Sequence, residues 1–160
     1  MTARLFTASW TSLWQASKRR PLPVQPVRTS RGLPKFWPAA ERFPAVDELM
    51  PDGWMLGSTD RGKNERAYRY KLGQIGLERI AARLDEIADE CGGLPLCLCC
   101  FEAAASDCHR SWAAEWLHEQ TGLVVPEIGW REGSIDGPDP ATGQNAHGDL
   151  AGFAARKEPR

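Results

Sequence analysis

Two thiols, a carboxylate, an imidazole and a guanidinium lie close together in the middle of the chain. Cys100 and Glu102 are separated by one residue, and five residues after Glu102 come Cys108, His109 and Arg110. A cysteine beside a histidine can supply a nucleophile, and Glu102 or His109 can move a proton. Arg110 can hold a phosphate or carboxylate through two parallel hydrogen bonds. The spacing predicts an anion pocket that contains a nucleophile or a proton-transfer group.

Two predicted elements position these residues. The short apolar run Leu94–Cys100 is typical of a strand buried on both faces, and an amphipathic helix is predicted from Cys108 to about Gln120, with Asp107 as its N-cap. Loops at the carboxyl end of such strands are where open α/β sheets bind ligands. A thiol in the first turn of a helix also loses its proton more easily. The candidate catalytic residues are therefore Glu102, Cys108 and His109, and Cys100 and Arg110 are candidate ligand-binding residues.

A purely structural role is the first alternative for this loop. In it Cys108 packs in the core, His109 caps the loop, and Glu102 braces Arg110. A zinc site is the second alternative, since the thiols and His109 are ligands that zinc prefers. Strand alternation counts against it, because Cys97 and Cys99 share one face while Cys100 points the other way. In addition, no Cys-x-x-Cys knuckle or His-x3-His pair completes a closed site. We predict no metal and no cofactor, with zinc left open as an alternative.

The remaining pattern predicts an α/β fold. We expect a single compact domain over residues 1–130, with a small, mostly parallel central sheet flanked by helices, and a disordered tail over residues 131–160. Pro26 favours an edge position for its strand, and Gly73 or Gly76 is expected to divide a long helical segment. The segment between the first strand and Pro21 is predicted to be irregular. The predicted strands are Arg4–Ser9, Val24–Thr29, Leu94–Cys100 and Leu123–Ile128, and the predicted helical segments cover residues 64–91 and 108–120.

Charge is unevenly distributed along the 160 residues. The formal net charge is −1, but residues 1–40 hold seven Lys or Arg and no acidic residue, which leaves 13 cations against 21 carboxylates in the remainder. Tryptophan and phenylalanine alternate with these cations, a mixture that could hold phosphates and stack on bases, or could simply pack in the core. No apolar run reaches the roughly 18 residues of a membrane span, and no signal peptide is evident. We expect a cytoplasmic protein with reduced thiols and no membrane partner.

The motif Leu98–Glu102, five residues, then Cys108-His109-Arg110 resembles the signature of the domain of unknown function 488 family of bacteria and their phages. The similarity extends to Val27–Phe36 and covers roughly residues 4–128. It implies a compact α/β domain and no particular reaction. It also implies that Arg28, Ser30 and Lys35 on one loop share a site with the cysteine, glutamate, histidine and arginine residues of the other. Pro26 departs from the family pattern.

Three functions remain as hypotheses. The first is an enzyme that acts on a phosphate-bearing ligand, either a nucleotide or a nucleic acid, with Arg28 and Arg110 holding anionic groups. The second is a non-catalytic module that binds nucleic acid or protein through the basic, aromatic N-terminal segment. The third is a domain stabilised by zinc.

Overall fold

A three-stranded parallel sheet lies at the centre of the protein. The structure is a computed structural model that describes residues 1–102, 108–131 and 134–136. The strand order is β1-β3-β2, so the apolar strand nearest the candidate site is the central one. The main elements are β1 (Leu5–Ser9), α1 (Trp10–Ser17), β2 (Gln25–Arg28), α2 (Arg61–Ile75), α3 (Leu77–Glu90), β3 (Leu96–Cys100) and α4 (His109–Thr121), with three short 3₁₀ helices at Pro38–Arg42, Asp47–Leu49 and Gly53–Gly57.

Helices cover both faces of this sheet, which confirms the predicted α/β architecture. All five residues of β3 are buried. Leu96 and Leu98 belong to the core that includes α2, α3 and α4, whereas Cys97 and Cys99 belong to the core on the side of α1. The alternation expected for a strand therefore holds, and Cys97 and Cys99 fill the space beneath α1. The edge position of β2 agrees with the prediction from Pro26.

The prediction of an irregular segment after the first strand is wrong, because α1 begins directly there. Ser9 is its N-cap, and the Ser9 hydroxyl oxygen accepts a hydrogen bond from the backbone N–H of Ser12. Trp10, Leu13 and Ala16 are buried on one face. Their three-residue spacing is a helical signal, which was missed because the segment is short and rich in polar residues.

The long helical segment divides at Gly76, as the sequence suggested. Gly76 has a φ of 87°, a left-handed value that glycine adopts without the steric cost of a Cβ atom. The predicted apolar stripe of α3 is buried, with Ile80, Leu84 and Ile87 fully enclosed. The N-cap of α4 is Cys108. The predicted cap, Asp107, lies outside the described residues.

The predicted strand Leu123–Ile128 is not formed as a strand. Only one isolated bridge joins Glu127 to Thr7, held by hydrogen bonds from Thr7 N–H to the Pro126 carbonyl and from Ile128 N–H to the Thr7 carbonyl. Pro126 has no N–H to extend the ladder. This bridge nevertheless fixes Glu127 beside β1, which matters for the site.

Two short strands lie where the predicted domain meets the predicted tail. Strands β4 (Gly129–Arg131) and β5 (Ser134–Asp136) form an antiparallel pair. The rest of the predicted tail, residues 132–133 and 137–160, lies outside the described residues. The boundary at residue 130 therefore stays a prediction. None of the helices in the described ranges is long and apolar enough to cross a membrane.

Candidate functional site

Four predicted site residues come together where β3 ends and α4 begins. Cys100 is the last residue of β3, Cys108 is the N-cap of α4, and His109 is its first residue. One side-chain ligand atom from each of these residues and from Glu102 lies within 4.8 Å of all the others. Three of the four residues are buried and Glu102 is exposed. We call these four residues the Cys–Glu–His cluster.

The side chains of Cys100 and Cys108 point toward each other. Their sulfur atoms lie within disulfide-bonding distance, while their Cα atoms are 7.5 Å apart. The sulfur of Cys108 also lies 3.0 Å from Oε2 of Glu102. Cys100 is fully buried and Cys108 almost so. Solvent therefore reaches the cluster mainly from the side of Glu102.

His109 is held in one tautomer. Its Nε2 lies 2.9 Å from the carbonyl oxygen of Thr29, which can only accept a hydrogen bond, so Nε2 carries the proton. The unprotonated Nδ1 lies 3.7 Å from the sulfur of Cys108. Burial lowers the pKa of His109, which favours the neutral ring. The ring also contacts that of Tyr68, with centroids 5.8 Å apart. His109 thus presents a lone pair to the cluster.

Arg110 is fully buried and bonded within the protein. Its Nη2 donates to Oε1 of Glu127 at 2.8 Å, and its Nε lies 3.1 Å from each Glu127 carboxylate oxygen. Its Nη1 donates to the sulfur of Cys100 at 2.7 Å and to the backbone carbonyl of Glu102 at 2.5 Å. These contacts hold the strand end and the loop in place. We therefore assign Arg110 a positioning role, although the sequence suggested a ligand contact.

Glu127 is the partner that sequence reasoning missed. The structural alternative paired Arg110 with the side chain of Glu102, but the carboxylate beside the guanidinium belongs to Glu127. The hydroxyl of Thr7 also donates to Oε2 of Glu127 at 2.5 Å. A carboxylate directly after Pro126, near the end of the domain, was the available signal. The sequence alone does not indicate that Glu127 pairs with Arg110, because the contact depends on the bridge between Glu127 and β1.

A cleft of about 410 Å³ opens beside the exposed side of the cluster. Glu102 and His109 line it, together with Trp112 of α4 and Arg61 and Asn64 of α2. The first turns of two helices, α2 and α4, therefore border the same space. None of these three additional residues was predicted as part of the site. For Arg61 and Asn64 the reason is that α2 lies far before α4 in the chain.

Asn64 has a buried oxygen without a partner. Its amide nitrogen donates to the carbonyls of Ser58 and Met55, at 3.2 and 3.4 Å. Its Oδ1 is buried and has no hydrogen-bond partner among the described residues. Such an atom is uncommon in folded proteins, since an unpaired buried acceptor costs about 1–3 kcal/mol.

The other loop of predicted site residues does not reach the cleft. Ser30 is buried, accepting a hydrogen bond from the Trp10 indole and donating one to the Gly32 carbonyl. Arg28 is half-buried at the end of β2, and Lys35 is exposed. None of Arg28, Ser30 and Lys35 is among the described residues that line the cleft. Their ligand-binding role stays a prediction.

The aromatic residues of the basic N-terminal segment divide between core and surface. Trp10 is buried and packs against Trp37, with ring centroids 6.2 Å apart. At the surface, Lys18 lies over the ring of Trp14, which also contacts the exposed Phe36. The core-packing alternative therefore describes Trp10. Nucleic-acid or protein binding by the surface group stays a prediction.

Comparison with protein-family models, with curated proteins and with solved structures finds no match to this chain. The resemblance to the domain of unknown function 488 family therefore stays a prediction. Any function must be argued from the geometry of the cluster and the cleft.

Proposed function

We propose that this protein is an enzyme that acts on a phosphate-bearing small molecule, most simply a nucleotide, bound in the cleft between the starts of α2 and α4. The main support for the proposal is that one cleft is lined both by groups that can transfer a proton and by groups that can bind an anion. Proton-transfer groups, Glu102 and His109, border the same space as a cation, Arg61, and the first turns of two helices. Helix N-termini and guanidinium groups both favour anions.

The cleft supplies separate contacts for the two ends of a nucleotide. Arg61 and the hydroxyls of Ser58 and Thr59 lie at the α2 side, where a phosphate would bind. Asp60 already caps α2 through the Lys63 N–H, so the guanidinium and hydroxyls would provide the phosphate contacts. Trp112 on the α4 side offers an aromatic face for a base. The volume lies within the roughly 300–1,000 Å³ of small-molecule sites.

Glu102 is the residue best placed to move a proton to or from a ligand in the cleft. It is the exposed member of the Cys–Glu–His cluster and lines the cleft directly. His109 lies on the same wall, with its Nδ1 lone pair facing the sulfur of Cys108. General acid–base groups of this kind contribute roughly 10²–10⁴-fold to a rate. In this proposal Arg110 holds the loop and does not touch the ligand.

Calorimetric titration with inorganic phosphate, AMP, ADP and ATP tests ligand binding. Arg61→Gln should weaken binding at least about tenfold, since a charge-assisted hydrogen bond contributes about 1.5–3 kcal/mol. Arg79→Gln is the matched control, because Arg79 is 73% exposed on α3 and pairs with Glu48. Binding should also weaken as salt rises. The proposal fails if none of the four probes binds, or if both variants lose affinity equally.

A second measurement separates catalysis from binding. Phosphate release from the nucleotide that binds most tightly is followed for the wild type and for Glu102→Gln. The variant should keep its affinity within about threefold while its turnover falls at least about a hundredfold. Nucleotide binding without turnover by the wild type would contradict the enzyme and support a non-catalytic binding protein.

A further inference from the structure

We infer that Cys100, Glu102, Cys108 and His109 together bind one zinc ion. Two sulfur atoms, one imidazole nitrogen and one carboxylate oxygen lie within 4.8 Å of one another. Ligands about 2.0–2.3 Å from a tetrahedral zinc ion lie roughly 3.3–3.8 Å apart. The two sulfur atoms, which lie at disulfide-bonding distance, would have to be reduced and move apart to reach that arrangement. Cys97 and Cys99, whose strand positions argued against a zinc site, lie on the other face of the sheet and are not part of the cluster.

The orientation of His109 supports this assignment independently of the sulfur atoms. Histidines that bind a metal usually donate their second ring N–H to a carbonyl or carboxylate, which fixes the tautomer and aims the free nitrogen at the ion. Nε2 of His109 lies 2.9 Å from the Thr29 carbonyl, and Nδ1 faces Cys108. A histidine that only packed in the core would have no need to present a lone pair to two thiols and a carboxylate.

The main-chain spacing of the cysteines suits two thiolates on one ion. Their Cα atoms are 7.5 Å apart, beyond the roughly 4.4–6.8 Å of protein disulfides. Zinc binds the thiolate form of cysteine, and a cationic donor stabilises that form. Nη1 of Arg110 is such a donor, 2.7 Å from the sulfur of Cys100. The Arg110 contact therefore favours the thiolate form of Cys100, which is the form that zinc binds.

The ion would lie at the wall of the proposed nucleotide cleft. Glu102 is the one exposed member of the cluster and also lines that cleft, so it is the ligand that an incoming anion would displace. In this respect the inference deepens the proposed function. Zinc binding itself requires no substrate, so the two can be tested separately.

The test is the metal content and metal affinity of the full chain. Protein purified under reducing conditions without chelator, then supplied with zinc and desalted, should contain about one zinc ion per chain, falling below about a tenth in Cys108→Ser and His109→Gln. Cys91→Ser is the matched control, because this half-buried thiol at the end of α3 lies outside the cluster. It should retain the full zinc content.

Cobalt titration of the wild type covers the case in which the variants fail to fold. Tetrahedral cobalt bound to thiolates should give intense visible d–d bands and a sulfur-to-cobalt charge-transfer band, and zinc should abolish both. Wild-type protein that retains no zinc and gives no such bands under reducing conditions would overturn the inference. Zinc binding without nucleotide binding would support this site and refute the proposed function, whereas the opposite result would refute the site alone.

Discussion

Replacing Glu127 by glutamine tests whether the Arg110–Glu127 pair holds the site together. Arg110 is fully buried, and the side chain of Glu127 is one third exposed, at 33%. Removing one partner of a buried pair costs about 3–5 kcal/mol, because the remaining charge is left uncompensated. The partial exposure of Glu127 and the acceptor oxygen that glutamine retains reduce this estimate. We expect Glu127→Gln to lower the free energy of unfolding by about 2–3 kcal/mol.

The assay is urea or thermal unfolding at neutral pH. For a chain of this length the expected loss corresponds to a fall in Tm of about 6–9 °C. Glu86→Gln is the matched control, since it removes the same charge from an exposed pair with Arg83 on α3 and should cost less than about 1 kcal/mol. A loss below about 0.5 kcal/mol for Glu127→Gln, or one equal to that of the control, would refute the reasoning.

A double-mutant cycle isolates the pair itself. Arg110→Met removes the buried charge and keeps an apolar side chain of similar length. Combined with Glu127→Gln, it should cost less than the sum of the two single changes, by at least about 1 kcal/mol. Strictly additive losses would mean that each residue stabilises the fold through other contacts.

Two further predictions concern stability away from the cluster. Burial alone raises the pKa of Asp85, but hydrogen bonds from the backbones of Ala3 and Thr2 and from the Thr2 hydroxyl outweigh it and hold the pKa below its ordinary value. A carboxyl group whose pKa is lowered by folding stabilises the fold above its unfolded pKa of about 3.9, and this stabilisation is lost as the pH falls through the folded pKa. Asp85→Asn should therefore lower Tm at pH 7 by an amount corresponding to about 1 kcal/mol and have little effect near pH 2. An equal loss at both pH values would contradict this cause. The Tyr68 hydroxyl donates to the Leu49 carbonyl at 2.7 Å in the core, and burial raises the pKa of Tyr68. Tyr68→Phe should therefore cost about 1–2 kcal/mol in urea unfolding, and an unchanged midpoint would mean that the Leu49 carbonyl finds another donor.

Local patterns were enough to predict most of the sheet and the helix stripes. The short, unbroken apolar sequence of β3 predicted a buried strand, and Pro26 predicted that β2 lies at the edge of the sheet. The stripe at Ile80, Leu84 and Ile87 followed the helical period. Each of these signals lies within a few residues of the structure that it predicts. The helix α1 was missed because its three buried residues stand among polar ones.

The cluster itself could be predicted because its members flank one strand-to-helix loop. The cleft could not, since Arg61 and Asn64 reach it from α2. Which part of α2 faces the loop depends on how the helices pack on the sheet, and no pattern within α2 indicates that. Long-range packing of this kind is what a single sequence encodes least directly.

The role of Arg110 illustrates the same limit in chemical terms. An arginine in the first turn of a helix, beside two thiols and a carboxylate, fits either an anion-binding site or a structural pair. The ion pair with Glu127 favours the structural role, and a bridge that fixes Glu127 beside Thr7 brings it to Arg110. With the guanidinium paired there, the charged side chain that lines the cleft among the described residues of this loop is Glu102, beside two sulfur atoms and a histidine lone pair. Such a set favours a cation, so in the proposed function the anion-binding groups of the cleft come from α2, and the proposed zinc ion lies on the opposite wall, beside α4.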